Sequence, residues 1–405
     1  MSYKTYYRCL IQNENKIYRT IKIERKMKDL KFSIPGRLTK KTIPSLLIGC
    51  LLLVASCKNS GSSVIDKTYT GNGDDLPQVT QEMVAPPMLP KFDQVDKDGP
   101  KVIKVTFTVE EKKIEVAPGD SMWAFTYNGS VPGPMIVAHQ GDFVDFTLKN
   151  PATNTQIHNI DFHAATGAMG GGDISLVNPG QQVSFRFRCT RAGVFVYHCA
   201  PGGLMVPIHV TAGMNGAIMV LPKDGLKDEN GNPVTFDRAY YIGQEDFYLP
   251  KDKDGKTISF ATVQESIQGY GESIKTLKPT NIVFNGKEGA LLGPNALKAK
   301  VGEKVLFITS EANRDTRIHL IGGHADLYWP GGKFSNTPFT DFETWEVPGG
   351  SAAAALYRFR EPGTYVLLDH NLIEAFAYGA IAQIKVEGKW DSTLLKQIQK
   401  PTEIK

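Results

Sequence analysis

The chain reads as all-β, two β-sandwiches in tandem, and three observations predict this. Short runs alternate apolar and polar residues: Ile103, Val105, Phe107 and Val109 against Lys104, Thr106 and Thr108, and Val144, Phe146 and Leu148 against Asp145 and Thr147. A period of two marks a strand with one buried face. Pro/Gly turns separate the runs and no long helical period intervenes, the pattern of a sandwich. Third, motifs recur in order: Tyr127-Asn128-Gly129 as Phe284-Asn285-Gly286, Gly141-Asp142-Phe143-Val144 as Gly302-Glu303-Lys304-Val305, Asn178-Pro179-Gly180 as Val347-Pro348-Gly349, and Gly193-Val194-Phe195-Val196 as Gly363-Thr364-Tyr365-Val366. The offsets run from 157 to 170 residues. A length of 405 residues accommodates two or three domains, so the body divides into copies at about 99–222 and 234–388, with 389–405 as a C-terminal tail.

Before the first copy lies a leader. Lys40 and Lys41 precede the apolar run Ile43 to Ala55, shorter than the ~20 residues of a spanning helix, and so read as an export signal over 1–56. Met27 as the start gives that signal a conventional length. Val54-Ala55-Ser56-Cys57 resembles a bacterial lipobox, which implies cleavage before Cys57, a lipid on its thiol, and a membrane-anchored lipoprotein that is periplasmic or on the cell surface. Residues 57–98, rich in Gly, Ser, Asp and Pro without periodicity, are expected to form a flexible tether. Residues 1–56 carry 12 Lys/Arg against 3 Asp/Glu and the remainder 34 against 39, so the formal +4 hides an acidic body of −5. No basic domain survives that subtraction, which disfavours nucleic-acid binding.

The cysteines are Cys9, Cys50, Cys57, Cys189 and Cys199, with no C-x-x-C pair. Cys189 closes the alternation Val183, Phe185, Phe187 and reads as a small core residue. Cys199 is different. It is followed by His209 ten residues on and Met214 five beyond that, the ligand order of a blue-copper site, where a thiolate and two imidazoles meet a distant thioether. On an extended segment adjacent side chains leave opposite faces, so His198 and Cys199 serve different metals. His158-Asn159-Ile160-Asp161-Phe162-His163 repeats the logic: read as one strand, His158 and His163 point to opposite faces, while Asp161 and His163 share one. One site then collects His158, Cys199, His209 and Met214, and a second collects His163 and His198 with Asp161 alongside. Met205 is a rival thioether, better read as part of an apolar rim around His209 that a donor protein touches.

The second copy has no Cys, so its histidines need another role. His319 and Ile321 share a strand face. His370 falls in the counterpart of the His198-Cys199 segment, at a strand end, where it can serve as a third imidazole for the second metal. Three imidazoles with an open position describe a catalytic site. His139 follows a strand and is expected at the surface, and His324 is a loop histidine or a distant member of a proton path.

Together HNIDFHAATG, VYHCAPGG, HVTAGMNGAIMVLP, ANRDTRIHLIGGH, FETWEVPGG and DHNLIEAF resemble the copper-containing nitrite reductases over roughly 100–388. The resemblance implies cupredoxin-like Greek-key sandwiches and two coppers per subunit: type 1 on His158, Cys199, His209 and Met214, type 2 on His163, His198 and His370. It implies that the third imidazole comes from a neighbouring subunit of a homotrimer, and that electrons arrive from a c-type cytochrome or a small cupredoxin. Asp161 and His319 match the pair that acts on nitrite over the type 2 copper, Ile321 the apolar residue shaping the substrate pocket, and Glu343 with Thr344 the hydrogen-bonding support behind His319.

The expected reaction is the one-electron, two-proton reduction of nitrite to nitric oxide and water, the electron passing through Cys199-His198. Three departures bear on the type 1 copper's colour, potential and docking surface: the Cys199–His209 loop is one residue longer than usual, Ile208 stands in place of Trp, and Ile318 in place of Pro. A multicopper oxidase of the same build needs several His-x-His pairs, and the chain has none. A non-catalytic electron carrier or copper-holding lipoprotein leaves Asp161, His319 and His370 without a task.

Overall fold

The structure, a computed structural model, describes residues 69–404. The expected export signal and the cysteine expected to carry a lipid, Cys57, lie outside the described residues. The first sandwich uses β1 (Gln78–Thr80), β2 (Val102–Ala117), β3 (Asp120–Tyr127), β4 (Ile136–His139), β5 (Phe143–Asn150), β6 (Asp161–Phe162), β7 (Gln181–Arg188), β8 (Gly193–His198) and β9 (Asn215–Leu221). One sheet runs β1-β2-β5-β7 with β3 paired to the far half of β2, and the other runs β4-β9-β8-β6. The alternation read from β2 and β5 is the alternation observed: Val105, Phe107, Val109, Val144, Phe146 and Leu148 are buried between the sheets with Tyr127, Phe162 and Tyr197.

After a short ribbon of β10 (Leu226–Lys227) and β11 (Pro233–Val234), the second sandwich contains β12 (Arg238–Phe247), β13 (Asn281–Phe284), β14 (Leu297–Lys300), β15 (Lys304–Glu311), β16 (Thr316–Ile321), β17 (Ala325–Trp329), β18 (Phe339–Phe342), β19 (Thr344–Val347), β20 (Ser351–Arg358), β21 (Gly363–Asp369) and β22 (Ile381–Glu387). Its sheets run β13-β12-β15-β20-β17-β18 and β14-β22-β21-β16-β19. All-β, with two sandwiches, is the fold.

The sandwiches meet face to face. Met135, Val137, Val194, Met219 and Leu221 of the first pack with Tyr241, Leu306, Ile308, Trp329, Ala352 and Ala354 of the second. Strands covered on both sides lose their alternation, which is why β9 reads as the unbroken run Ala217-Ile218-Met219-Val220-Leu221 and is buried throughout. Of the four alanines Ala352 to Ala355 of β20, Ala352 and Ala354 face this contact and Ala353 and Ala355 the core of the second sandwich, small side chains letting a two-sided strand lie close to both neighbours.

Residues 69–98 depart from the expected tether. β1 pairs in parallel with β2. Gln81 bonds both polar groups of Val137, at 2.8 and 3.0 Å, and Gln94 those of Phe236, at 2.7 and 3.0 Å. A side-chain amide carries the donor and acceptor of a peptide unit, so Gln81 pairs with β4 and Gln94 with the segment leading into β12, as a strand would, without either lying in one. Composition reports the lack of periodicity and cannot see such pairing. His139 also departs from expectation. It is only 4 % exposed, beneath this arm, with Nδ1 3.9 Å from the buried Asp142 carboxylate.

Candidate metal centres and active site

Cys199 follows the last residue of β8 and is fully buried. Its amide donates to Met214 O at 3.1 Å, and the Met214 amide to His209 O at 3.1 Å, so backbone pairing alone gathers three members of the Cys–His–Met set. Between Cys199 and His209 the chain forms a helix, Met205–Thr211, which the loop reading did not anticipate. His209 sits in its last turn, facing inward. His158 comes from across the sandwich, held by paired backbone bonds with Val177 at 3.1 and 2.8 Å. The Cys199 Sγ lies 3.3 Å from His209 Nδ1 and 3.8 Å from His158 Nδ1. Phe125 stands edge-on to both imidazoles.

The protonation pattern suits a metal. His158 Nε2 donates to the Glu111 carboxylate at 3.1 Å, which leaves the Nδ1 lone pair turned toward the sulfur. Burial lowers the pKa of His158 and, more strongly, of His209, and pushes the Cys199 thiol up to about 12. Two neutral imidazoles and a desolvated thiol converging within 4.8 Å form a soft donor set that a copper ion fits. Asn159 braces the cluster, its N–H 3.4 Å from Sγ and its Oδ1 accepting from the Ala200 amide at 2.7 Å.

A second group lies one peptide away. β6 pairs with β8 so that Asp161 is directly opposite His198, and side chains opposite in a ladder share a face. His198 Nε2 is 4.0 Å from Asp161 Oδ2 and 3.2 Å from His163 Nε2. His198 Nδ1 faces the Cys199 carbonyl at 3.2 Å. A carbonyl only accepts, so Nδ1 holds the proton and Nε2 offers a lone pair. His163 Nε2 can meet that lone pair with its own proton or share a cation with it, and Asp161, His163 and His198 form a group fit to hold one. The segment 158–163 is not the single strand expected: only Asp161 and Phe162 are extended in a sheet. His158 and His163 reach separate clusters because the chain turns on either side of that pair.

The histidines of the second sandwich form a pair of their own. His319 and His370 stand perpendicular with ring centroids 5.1 Å apart, and the His370 amide donates to Arg317 O at 2.6 Å. His319 Nδ1 donates to the Glu343 backbone carbonyl at 2.9 Å, with Thr344 Oγ1 at 3.3 Å. Glu343 therefore meets His319 through its main chain. Ile321 lies on the same outward face of β16 and is half exposed. Among the described residues, His370 does not join the donor atoms of Asp161, His163 and His198 within one chain.

Four carboxylates escaped the sequence reading. Glu111 lies in the run Glu110-Glu111-Lys112-Lys113, which resembles a solvated face. Glu245, Asp246 and Glu311 are buried carboxylates in strands that look merely polar at one end. Burial pushes Glu245 up to about 8 and Asp246 to about 7, the latter against the pull of Arg314.

Residues 108–225 match a family model described as multicopper oxidase. A copper-containing nitrite reductase of Pseudomonas chlororaphis is 52% identical over 356 residues, spanning 88% of this chain and 96% of that protein. One from Alcaligenes faecalis is 48% identical over 370 residues, spanning 90% and 98%. Among solved structures, a copper nitrite reductase from Nitrosomonas europaea has a TM-score of 0.59 at 28% identity, covering 72% of this chain and 96% of that one. A multicopper oxidase reaches 0.56 at 22% identity over 72% and 92%, a likeness of fold alone.

Proposed function

The chain belongs to the copper-containing nitrite reductases, and on that ground we propose which of its residues hold copper and which handle nitrite. His158, Cys199, His209 and Met214 hold a type 1 copper, and His163 and His198, with His370 of a neighbouring copy, hold a type 2 copper, one of each per subunit. When bound, the two ions supply a one-electron relay and a Lewis-acidic seat for nitrite. What supports the assignment is the single peptide link between Cys199 and His198, whose side chains enter two separate donor groups.

The protons are the protein's share of the reaction. Turning nitrite into nitric oxide and water consumes one electron and two protons. Asp161, with its carboxylate 4.0 Å from His198 Nε2 and partly open to solvent, hydrogen-bonds a nitrite oxygen and delivers a proton to it. His319 carries a fixed proton on Nδ1, held by the Glu343 carbonyl and Thr344. Its Nε2 is left to pass the second proton. Ile321 borders the nitrite with an apolar wall. In this reading the His319–His370 pair of one copy completes the Asp161–His163–His198 group of another, so the working unit is a homotrimer.

A c-type cytochrome or a cupredoxin delivers the electron at the face over His209. The leader exports the chain and Cys57 carries a lipid that anchors it, a reading supported by the Val54-Ala55-Ser56-Cys57 motif. In the described residues no helix is long and apolar enough to cross a membrane.

Nitric oxide production by Asp161→Asn tests the chemistry. The variant is expected to keep both coppers and lose roughly 10²-fold or more in turnover; parental turnover removes the acid role from Asp161.

A further inference from the structure

Between β6 and β7 the chain carries Gly170-Gly171-Gly172 and folds back over Asp161. Gly170 has φ +54, and a Cβ built on it lies 2.1 Å from Asp161 Oδ1, 2.8 Å from Phe162 O and 3.1 Å from Phe162 N. Contacts under 3.0 Å are essentially never made by real Cβ atoms, so something must shift when a side chain is added. The two Phe162 atoms are main chain, fixed in the ladder with Tyr197. The carboxylate is the part free to turn.

Nor can the loop lift away to make room. Gly171, at φ +100, lies against Phe185, whose ring is 2.8 Å from a Cβ built there; that ring packs with Phe146 and Phe162. The Gly172 carbonyl accepts from Asn159 Nδ2 at 3.0 Å, and the Asn159 amide faces the Cys199 sulfur at 3.4 Å. One end of the loop is thus tied to the Cys199 cluster while Gly170 touches the acid of the other group.

We propose that Gly170 is a positioning residue for the reaction: its missing side chain leaves the space in which the Asp161 carboxylate stands over the His163 and His198 nitrogens. The inference rests on the reading of Asp161 as the proton donor. A misplacement of about 1 Å at a reacting group is enough to cost roughly 10²-fold in rate.

The test is a double-mutant cycle on the full, copper-loaded protein, with Gly293→Ala as control. Gly293 has nearly the same backbone angle, φ +57, and nothing within 4 Å of an added Cβ, so it reports the cost of the left-handed conformation alone. Gly170→Ala is expected to keep its copper and its visible band and to lose roughly 10²-fold in kcat, with the acid limb of its pH–rate profile displaced. It should lose nothing further when combined with Asp161→Asn. A crystal structure of the variant should show the Asp161 carboxylate turned away from His198.

Thermal unfolding gives a readout independent of turnover. Asp161→Ala removes the colliding oxygen and should restore part of the melting temperature, or the folding itself, that Gly170→Ala loses. Gly170→Ala behaving like Gly293→Ala in rate and pH profile, while Asp161→Asn is crippled, overturns the inference and leaves the acid reading intact. So do rate losses that simply multiply, or a Gly170→Ala/Asp161→Ala protein that unfolds as readily as Gly170→Ala. Full turnover in Asp161→Asn alone overturns the acid reading, and the inference with it.

Discussion

Glu111 shows how much of the Cys199 cluster is built by residues with no metal chemistry of their own. Its buried carboxylate accepts from His158 Nε2 at 3.1 Å, from the Thr155 amide and hydroxyl at 2.8 Å each, and from the Gln156 amide at 2.7 Å. Such a carboxylate behind an imidazole fixes its tautomer and ring orientation. Burial by itself raises its pKa, and the hydrogen bonds more than offset that. At the centre of the cluster is Cys199, whose thiolate would give a type 1 copper held there its intense charge-transfer absorption. Cys199→Ala is therefore expected to abolish the visible band of the copper-loaded protein while leaving the far-ultraviolet circular dichroism of the sandwiches unchanged; an unaltered band refutes the ligand assignment.

Among the elements, the helix Met205–Thr211 matters most to the site. It carries His209 inward in its last turn, and the preceding residue, Ile208, is buried, with its Cδ1 3.5 Å from a Cβ built at Gly271. Gly271 belongs to the helix Val263–Ser273, whose N-terminus is closed by a reciprocal pair of hydrogen bonds between Thr262 and Glu265. Ile208 thus wedges the helix that carries His209 against a second helix. Ile208→Ala should cost about 2–4 kcal/mol in chemical denaturation without loss of copper; an unchanged midpoint means that the site collapses around the missing atoms.

The strand elements mark where parity reasoning holds and where it stops. β8 is extended to His198, so His198 and Cys199 part as alternation requires. From 158 to 163 only Asp161 and Phe162 are in a sheet, and alternation across all six residues has no physical basis there. The separation of His158 from His163 is set by pairing with Val177 on one side and with β8 on the other.

At the scale of the whole molecule, the described residues of one chain keep Asp161–His163–His198 and His319–His370 as separate groups. If each completes the other across a homotrimer, then mixing His163→Ala with His370→Ala chains, each inactive alone, should restore nitric oxide production through hybrid sites. No recovery after verified subunit exchange sinks the interchain reading. The buried carboxylates of the second sandwich make a separate claim. Burial raises Glu245 from its ordinary 4.5 to about 8, partly offset by the hydrogen bond from Asn215 and reinforced by Asp246. The folded state therefore holds a proton that the unfolded chain releases more readily. This contribution is full below 4.5, declines as pH rises, and is lost once pH passes about 8. Glu245→Gln keeps an acceptor for Asn215 without the charge. Its melting temperature should vary less across that window than the parent's and exceed it at the alkaline end; parallel curves would mean that Glu245 is ionised in the folded protein throughout.

The amino-acid order by itself determined the two-sandwich build, because a buried face imposes a period of two on β2 and β5, and it set Cys199, His209 and Met214 close enough along the chain for backbone pairing to gather them. The apolar β9 and the alanines of β20 were legible as buried but not as an interface, since a two-sided strand loses the period that says which face meets what. Glu111 beside His158, Gly170 against Asp161, the arm held by Gln81 and Gln94 and the burial of His139 were decided only by tertiary structure. Each joins residues through side chains and main chain brought together by sheet pairing, and local sequence carries no trace of which distant strand will lie opposite.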